Sequence, residues 1–191
     1  MAILLLSILL IVLQLAFLLV IIIATAVVFV GAISVYLDVP FVPTPARYRR
    51  VIDAALQIAP RDVVYELGSG TGGFLINLAK QHPEARFVGI ELNTILYFYA
   101  NVRKRLLGNP PNVSFRCENF YQTDLSKADK IYGYLLDSVM ETILPKLQRE
   151  TNGVRFASRA FQFKSKKPVE TVRLSRIPGT HGENMLYVYE F

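Results

Sequence analysis

The chain has 191 residues, with 21 Lys and Arg against 15 Asp and Glu for a net charge of +6, and 52% of its residues are hydrophobic. One cysteine, Cys117, and two distant histidines, His82 and His181, leave no ligand set for a structural zinc site. There is also no Gly-Lys-Ser/Thr phosphate loop and no Gly-x-Ser-x-Gly nucleophile elbow, so P-loop and serine-hydrolase chemistries find no support.

No charged side chain occurs before Asp38, and the stretch from Ala2 to Leu37 is interrupted only by Ser7, Gln14, Thr25, Gly31, Ser34 and Tyr36. A run of about 28 apolar residues makes a helix about 42 Å long against a hydrocarbon core of about 30 Å, so residues 1–37 are expected to cross a membrane once. A cleaved signal peptide is the rival. It fits poorly, because no Lys or Arg precedes the run, the run is about twice a normal h-region, and no small-x-small site follows closely. A buried core helix is disfavoured by the lack of any polar face. Arg47, Arg49 and Arg50 follow the span, which places the C-terminal domain in the cytoplasm, or in the matrix of a mitochondrion, by the positive-inside rule. Cys117 is compatible with a reducing compartment.

In the connecting segment 38–50, Pro40, Pro43 and Pro45 impose an extended, semi-rigid path. Its full reach is only about 45 Å, so the following domain is expected to sit at the bilayer surface. All of the charge lies from Asp38 onward, and residues 51–191 have the length of one compact domain, without repeats.

The pattern predicts a helix from about Pro45 to Ile58, a strand at Val63–Leu67, a helix at Gly72–Gln81 and a strand at Arg86–Glu91. A helix over Thr94–Leu107 is stopped by Gly108-Asn109-Pro110-Pro111. Strands follow at Val113–Cys117 and Lys130–Leu136, then a helix at Ser138–Arg149 with Pro145 as a point of kinking. Strands near Val154–Ser158, Glu170–Arg176 and Met185–Tyr189 complete the chain. Alternating β and α elements followed by strands alone predict an α/β fold, a parallel doubly wound sheet finished by an antiparallel hairpin.

The chemistry concentrates where the first strand ends. Gly68, Gly70 and Gly73 satisfy the dinucleotide pattern G-x-G-x-x-G, while Gly68, Gly70 and Gly72 satisfy G-x-G-x-G equally well. Glu66 discriminates: a carboxylate before the first glycine repels a pyrophosphate and attracts the ammonium of the methionine moiety of S-adenosylmethionine (SAM). Glu91 ends the second strand, roughly 20 residues on, where a carboxylate accepts from ribose hydroxyls.

The run Glu66-x-Gly68-x-Gly70-x-Gly72 with Glu91 resembles motif I and its acidic successor in class I, seven-stranded SAM-dependent methyltransferases of Rossmann-like fold. Together with the span, Val39-Pro40-Phe41-Val42-Pro43-Thr44-Pro45, Gly89-Ile90-Glu91-Leu92-Asn93 and Asn119-Phe120-Tyr121, it is similar to the small membrane-anchored lysine methyltransferases of the ATP synthase c-subunit and the adenine nucleotide translocase, and to their prokaryotic relatives. The resemblance implies that Glu66, Gly68, Ser69, Gly70, Gly72, Glu91 and Asn93 hold SAM, with Pro43 and Thr44 in the segment that closes the pocket. It places Asn119 and Phe120 at the adenine; as a turn residue Asn119 has a competing reading. Two departures border the acceptor pocket: Leu136-Asp137-Ser138, where the family has a small or Pro-containing turn, and Arg159-Ala160-Phe161-Gln162-Phe163, where it has a Pro-Phe-Pro-like segment.

The implied function is membrane-anchored, SAM-dependent methylation of a lysine on a membrane or membrane-associated protein. Methylation of a lipid-phase small molecule such as a quinone, and a non-enzymatic protein keeping the cofactor fold, are the alternatives. Asp137 is the candidate for orienting an amine acceptor, or else a helix N-cap. Phe41, Tyr121 and Phe161 are candidates for an apolar wall around the acceptor, or ordinary core. A D/N-P-P-Y/F sequence, the mark of many adenine- and glutamine-modifying enzymes, is absent. Lys164, Lys166, Lys167, Arg173 and Arg176 form either a headgroup-contacting or a solvated basic face. Nucleic acid is a weak partner class without a recognition motif.

Overall fold

A computed structural model describes residues 2–36, 42–174 and 185–191. The chain divides into two compact units, Met1–Phe41 and Val42–Phe191. The first is the helix α1 (Ala2–Tyr36). Its segment Leu4–Phe29, 26 residues of mean hydropathy 3.2, is long and apolar enough to cross a membrane, and none of that segment is buried.

The second unit is built on a seven-stranded sheet of order β3-β2-β1-β4-β5-β7-β6. Its strands are β1 (Val63–Leu67), β2 (Arg86–Glu91), β3 (Val113–Cys117), β4 (Lys130–Gly133), β5 (Arg155–Arg159), β6 (Glu170–Arg173) and β7 (Met185–Glu190). The first five run parallel, while β7 pairs antiparallel with both β5 and β6. This is the expected doubly wound sheet with its C-terminal hairpin. The helices are α2 (Arg49–Leu56), α3 (Gly73–Gln81), α4 (Thr94–Leu106) and α5 (Asp137–Glu150). β1 is buried over its last four residues, Glu66 among them, because parallel strands are covered on both faces.

The core is accordingly double. On one face Ile52 and Leu56 of α2, Leu75 and Leu78 of α3 and Ala100 of α4 pack with Val64, Phe87 and Tyr132. On the other Met140, Ile143 and Leu147 of α5 pack with Leu67, Ile131 and Phe156. Arg155 pins α2 to the sheet: its Nε donates to Ala55 O at 2.6 Å, and Nη2 and Nη1 reach Glu170 at 2.6 Å and Glu190 at 3.0 Å.

Several boundaries differ from the sequence pattern. The helix expected over about Pro45–Ile58 is a 3₁₀ turn, Ala46–Tyr48, continued by α2 and closed by Gln57 at φ 53°. The fourth strand stops at Gly133, three residues short of expectation. Gly133 pairs with Leu67 and Ser158, and β1 turns away at Gly68, so the apolar run Tyr134-Leu135-Leu136 has no ladder to extend. α5 starts at Asp137 with Leu136 as its cap, extended at ψ 158°. This corrects the N-cap reading of Asp137, which occupies the first helical turn instead. α5 also runs through Pro145 without ending there. Phe41, Arg176 and His181 lie outside the described residues.

Candidate active site

The strand order reverses between β1 and β4, and the carboxyl ends there form the crevice in which such sheets bind ligands. At the end of β1 the N–H groups of Gly68 and Ser69 both donate to Ile90 O at 2.9 Å, folding the glycine turn over the end of β2. Gly72 caps α3 at φ +67°, and a Cβ there would come within 2.3 Å of Phe115 Cζ. Both the left-handed backbone and the aromatic contact demand glycine.

Glu91 locks this turn from the neighbouring strand. Its Oε2 accepts the Gly70 N–H at 2.7 Å and its Oε1 the Asn93 N–H at 2.8 Å. Burial raises its carboxyl pKa, and the bonds from Asn93 and Gly70 oppose the rise. A carboxylate has about four acceptor positions, so beyond the backbone N–H groups of Gly70, Asn93 and Leu92, Glu91 keeps capacity for a sugar hydroxyl.

Glu66 is different. It is 5% exposed, its Oε2 has no hydrogen-bond partner, and the nearby Ser69 Oγ is equally buried and unpartnered. Burial first, and the Glu91 charge second, hold the Glu66 carboxyl well above the ordinary carboxylate range. A buried orphaned carboxyl is costly unless something completes it. An ammonium satisfies it, and a pyrophosphate does not. The two acids and the glycine turn therefore fit the methionine and ribose ends of SAM.

Thr44 reaches the same edge, with its Oγ1 2.8 Å from the hydroxyl of Tyr132, the β4 residue paired with Glu66. Tyr132 is buried, which pushes its phenol pKa up and keeps it neutral. Pro43 is exposed beside Thr44. Asn93 caps α4, its Oδ1 accepting from Ile95 N at 2.9 Å and Leu96 N at 3.2 Å. Asn119 Oδ1 accepts from Tyr121 N at 2.9 Å, the turn geometry that competes with the adenine reading. One Oδ1 lone pair and the amide nitrogen remain for a base.

Of the acceptor-side candidates, Tyr121 and Phe161 each sit against another aromatic ring. Tyr121 packs on Phe120, ring centroids 4.6 Å apart, and its phenol pKa is raised by burial against a hydrogen bond from Thr142. Phe161 stacks at 6.1 Å on Tyr134. Asp137 is exposed at the start of α5, and its carboxylate makes no hydrogen bond or ion pair among the described residues. No group of three His, Cys, Asp or Glu side chains that could hold a metal occurs among the described residues.

The sequence pattern does not single out Tyr132 or Tyr134, and it marks Arg159 only as part of a departure from the family. Arg159 is 4% exposed at the carboxyl end of β5, under the rings of Tyr134 at 4.2 Å and Tyr48 at 5.2 Å. The available signal is a β5 strand carrying arginine at both ends, Arg155 and Arg159, on one face.

Residues 66–170 match the profile of the ANTKMT methyltransferase domain. The chain is 34% identical over 140 residues to a protein-lysine N-methyltransferase of Saccharolobus islandicus (strain REY15A), covering 71% of this chain and 85% of that protein. It is 27% identical over 130 residues to the ATP synthase C-subunit lysine N-methyltransferase of Caenorhabditis elegans, covering 65% and 67%. Among solved structures, an RNA methyltransferase from Salinibacter ruber in complex with S-adenosyl-L-homocysteine superposes with a TM-score of 0.70 at 30% identity, over 78% of this chain and 93% of that one.

Proposed function

This chain belongs to the ANTKMT methyltransferase-domain family, and we propose that it methylates lysine side chains of a protein held at a membrane. It is a SAM-dependent methyltransferase of class I fold. The observation that carries the cofactor chemistry is the buried, unpartnered Glu66 carboxyl beside the Gly68–Gly72 turn. Lysine as acceptor is supported by the two relatives named for lysine methylation. Anchoring is supported by α1, and placement of the C-terminal domain on the cytoplasmic or matrix side by Arg47, Arg49 and Arg50. In this reading residues 1–37 are the anchor, 38–50 the connection and 51–191 the catalytic domain.

SAM supplies a methyl group already activated on a sulfonium, so no nucleophilic side chain is required. The protein aligns the two partners and keeps water out. Glu66 orients the methionine end, Gly68, Ser69, Gly70 and Gly72 admit it closely, and Glu91 with Asn93 faces the ribose. Asn119 and Phe120 line the base, and Pro43 and Thr44 cover the crevice. On the acceptor side a lysine must lose a proton. With a reference pKa near 10.4 this costs about 4.6 kcal/mol at pH 7. Burial beside Tyr121 and Phe161 lowers that cost by disfavouring the ammonium form. The unpaired Asp137 carboxylate attracts the incoming ammonium to the mouth of the site.

Incubating the full chain with tritiated SAM and membranes tests this reading. Label in protein that hydrolyses to methylated lysine supports it, and label confined to organic-extractable lipid favours the quinone-type acceptor. The RNA methyltransferase name of the Salinibacter ruber protein gives a third arm, in which label enters RNA.

A further inference from the structure

Arg159 is a cation that the fold buries without completing. Its Nε and Nη1 find no hydrogen-bond partner, although the residue is 4% exposed. Two tyrosine faces, Tyr134 and Tyr48, supply cation–π contact but no acceptor for its N–H groups. No ion pair of Arg159 is formed among the described residues; Arg155, on the same strand, has Glu170 and Glu190. Its place is also fixed by the backbone: Ala160 follows in the left-handed region at φ 68°, with its N–H bound to Met185 O at 2.9 Å. A non-glycine residue in that region costs about 1–2 kcal/mol, so the turn aims Arg159 at the expense of strain.

The register says what Arg159 faces. Glu66 pairs with Tyr132, Tyr132 pairs with Ala157, and Arg159 is two residues further along β5, on the same face of the sheet. With strands about 4.8 Å apart and about 3.3 Å per residue, the Glu66 and Arg159 Cα atoms are about 12 Å apart. Tyr132 lies on the strand between them, and its hydroxyl is the one bound to Thr44. Both charges act on that hydroxyl, in opposite senses. A buried acid and a buried base on one face, each lacking partners and not paired with one another, are completed together by a group that carries an ammonium and a carboxylate a few ångströms apart.

We propose that Arg159 and Glu66 form the two jaws of a zwitterion clamp for the α-amino-acid end of SAM, with Arg159 binding the α-carboxylate and Glu66 the α-ammonium. The clamp rests on the SAM assignment and adds to it a carboxylate subsite at the end of β5, with Thr44 and Tyr132 as hydroxyls between the jaws. It makes the amino-acid end of the cofactor, and not only its nucleoside, a determinant of affinity.

Calorimetric titration of the full chain in detergent tests the clamp, using S-adenosylhomocysteine and its decarboxylated analogue, 5′-deoxy-5′-(3-aminopropylthio)adenosine. The wild type is expected to bind S-adenosylhomocysteine about 50-fold more tightly than the analogue, the scale of a buried charge-assisted pair. Arg159→Gln is expected to lose about 50-fold for S-adenosylhomocysteine and to keep wild-type affinity for the analogue. The wild-type comparison alone holds if that variant does not fold. Equal wild-type affinity for the two compounds, or an equal loss for both in Arg159→Gln, overturns the clamp while leaving the cofactor in place. A wild type that binds neither compound overturns the SAM assignment and the clamp with it.

Discussion

Glu66→Gln separates the role of the buried carboxyl from that of the glycine turn around it, because it removes the charge and keeps the shape. A hydrogen bond to a charged group contributes about 1.5–3 kcal/mol, so loss of the carboxylate–ammonium contact is expected to weaken S-adenosylhomocysteine binding about 10- to 150-fold. The raised pKa of Glu66 adds a pH signature. Below that pKa the free carboxyl must release its proton before the ammonium contact forms, at about 1.36 kcal/mol per pH unit. Wild-type affinity therefore rises up to tenfold per pH unit from acid toward the Glu66 pKa and levels off above it. Glu66→Gln lacks that rise, and the two curves converge in acid. The assay is calorimetric titration in buffers of different ionisation enthalpy, which reads the released proton directly. A Glu66→Gln protein with wild-type affinity above neutrality, or with the wild-type pH slope, refutes the reasoning.

The same group sets a stability trend. The folded-state pKa of Glu66 is raised, so the folded protein binds more protons than the unfolded chain between the ordinary carboxylate value and that raised value. Its contribution to stability is fully present at low pH and falls as pH rises through that window, and Glu66→Gln without ligand is expected to melt higher than wild type near about pH 8. Gly72→Ala combines a left-handed backbone with a Cβ 2.3 Å from Phe115 Cζ, and thermal unfolding is expected to show a loss of about 2–5 kcal/mol. Glu91→Ala removes the acceptor of both Gly70 and Asn93 N–H groups and should abolish detectable cofactor binding while the domain still unfolds cooperatively by circular dichroism. Thr44→Val deletes the bond to Tyr132 and is expected to cost about 1 kcal/mol in denaturant unfolding, with a larger proportional effect on cofactor dissociation rate if the segment covers the crevice.

What the sequence disclosed was set by short-range geometry. Glu66 to Gly72 is one strand end and one turn, and Glu91 is the end of the next strand, so type and spacing are enough to assemble them. Asn93 and Asn119 show the limit: the same side-chain oxygen that could meet a ligand also closes a local turn, and only coordinates reveal that it caps α4 in one case and accepts from Tyr121 in the other. The end of β4 escapes the pattern because Tyr134-Leu135-Leu136 continues the strand composition, whereas a strand ends where its neighbours stop pairing. Arg159 is hidden for a different reason. Its covering rings, Tyr48 and Tyr134, come from distant parts of the chain, and its significance lies in partners it lacks, which no local pattern records.

Lysine methylation at the membrane is tested most directly by acid hydrolysis of membrane protein labelled by the purified full chain with tritiated SAM, followed by amino-acid chromatography. Tritium is expected to co-elute with methylated lysine and to disappear when Glu91→Ala replaces the wild type. Label recovered only in lipid or RNA, or protein label in a residue other than lysine, contradicts it.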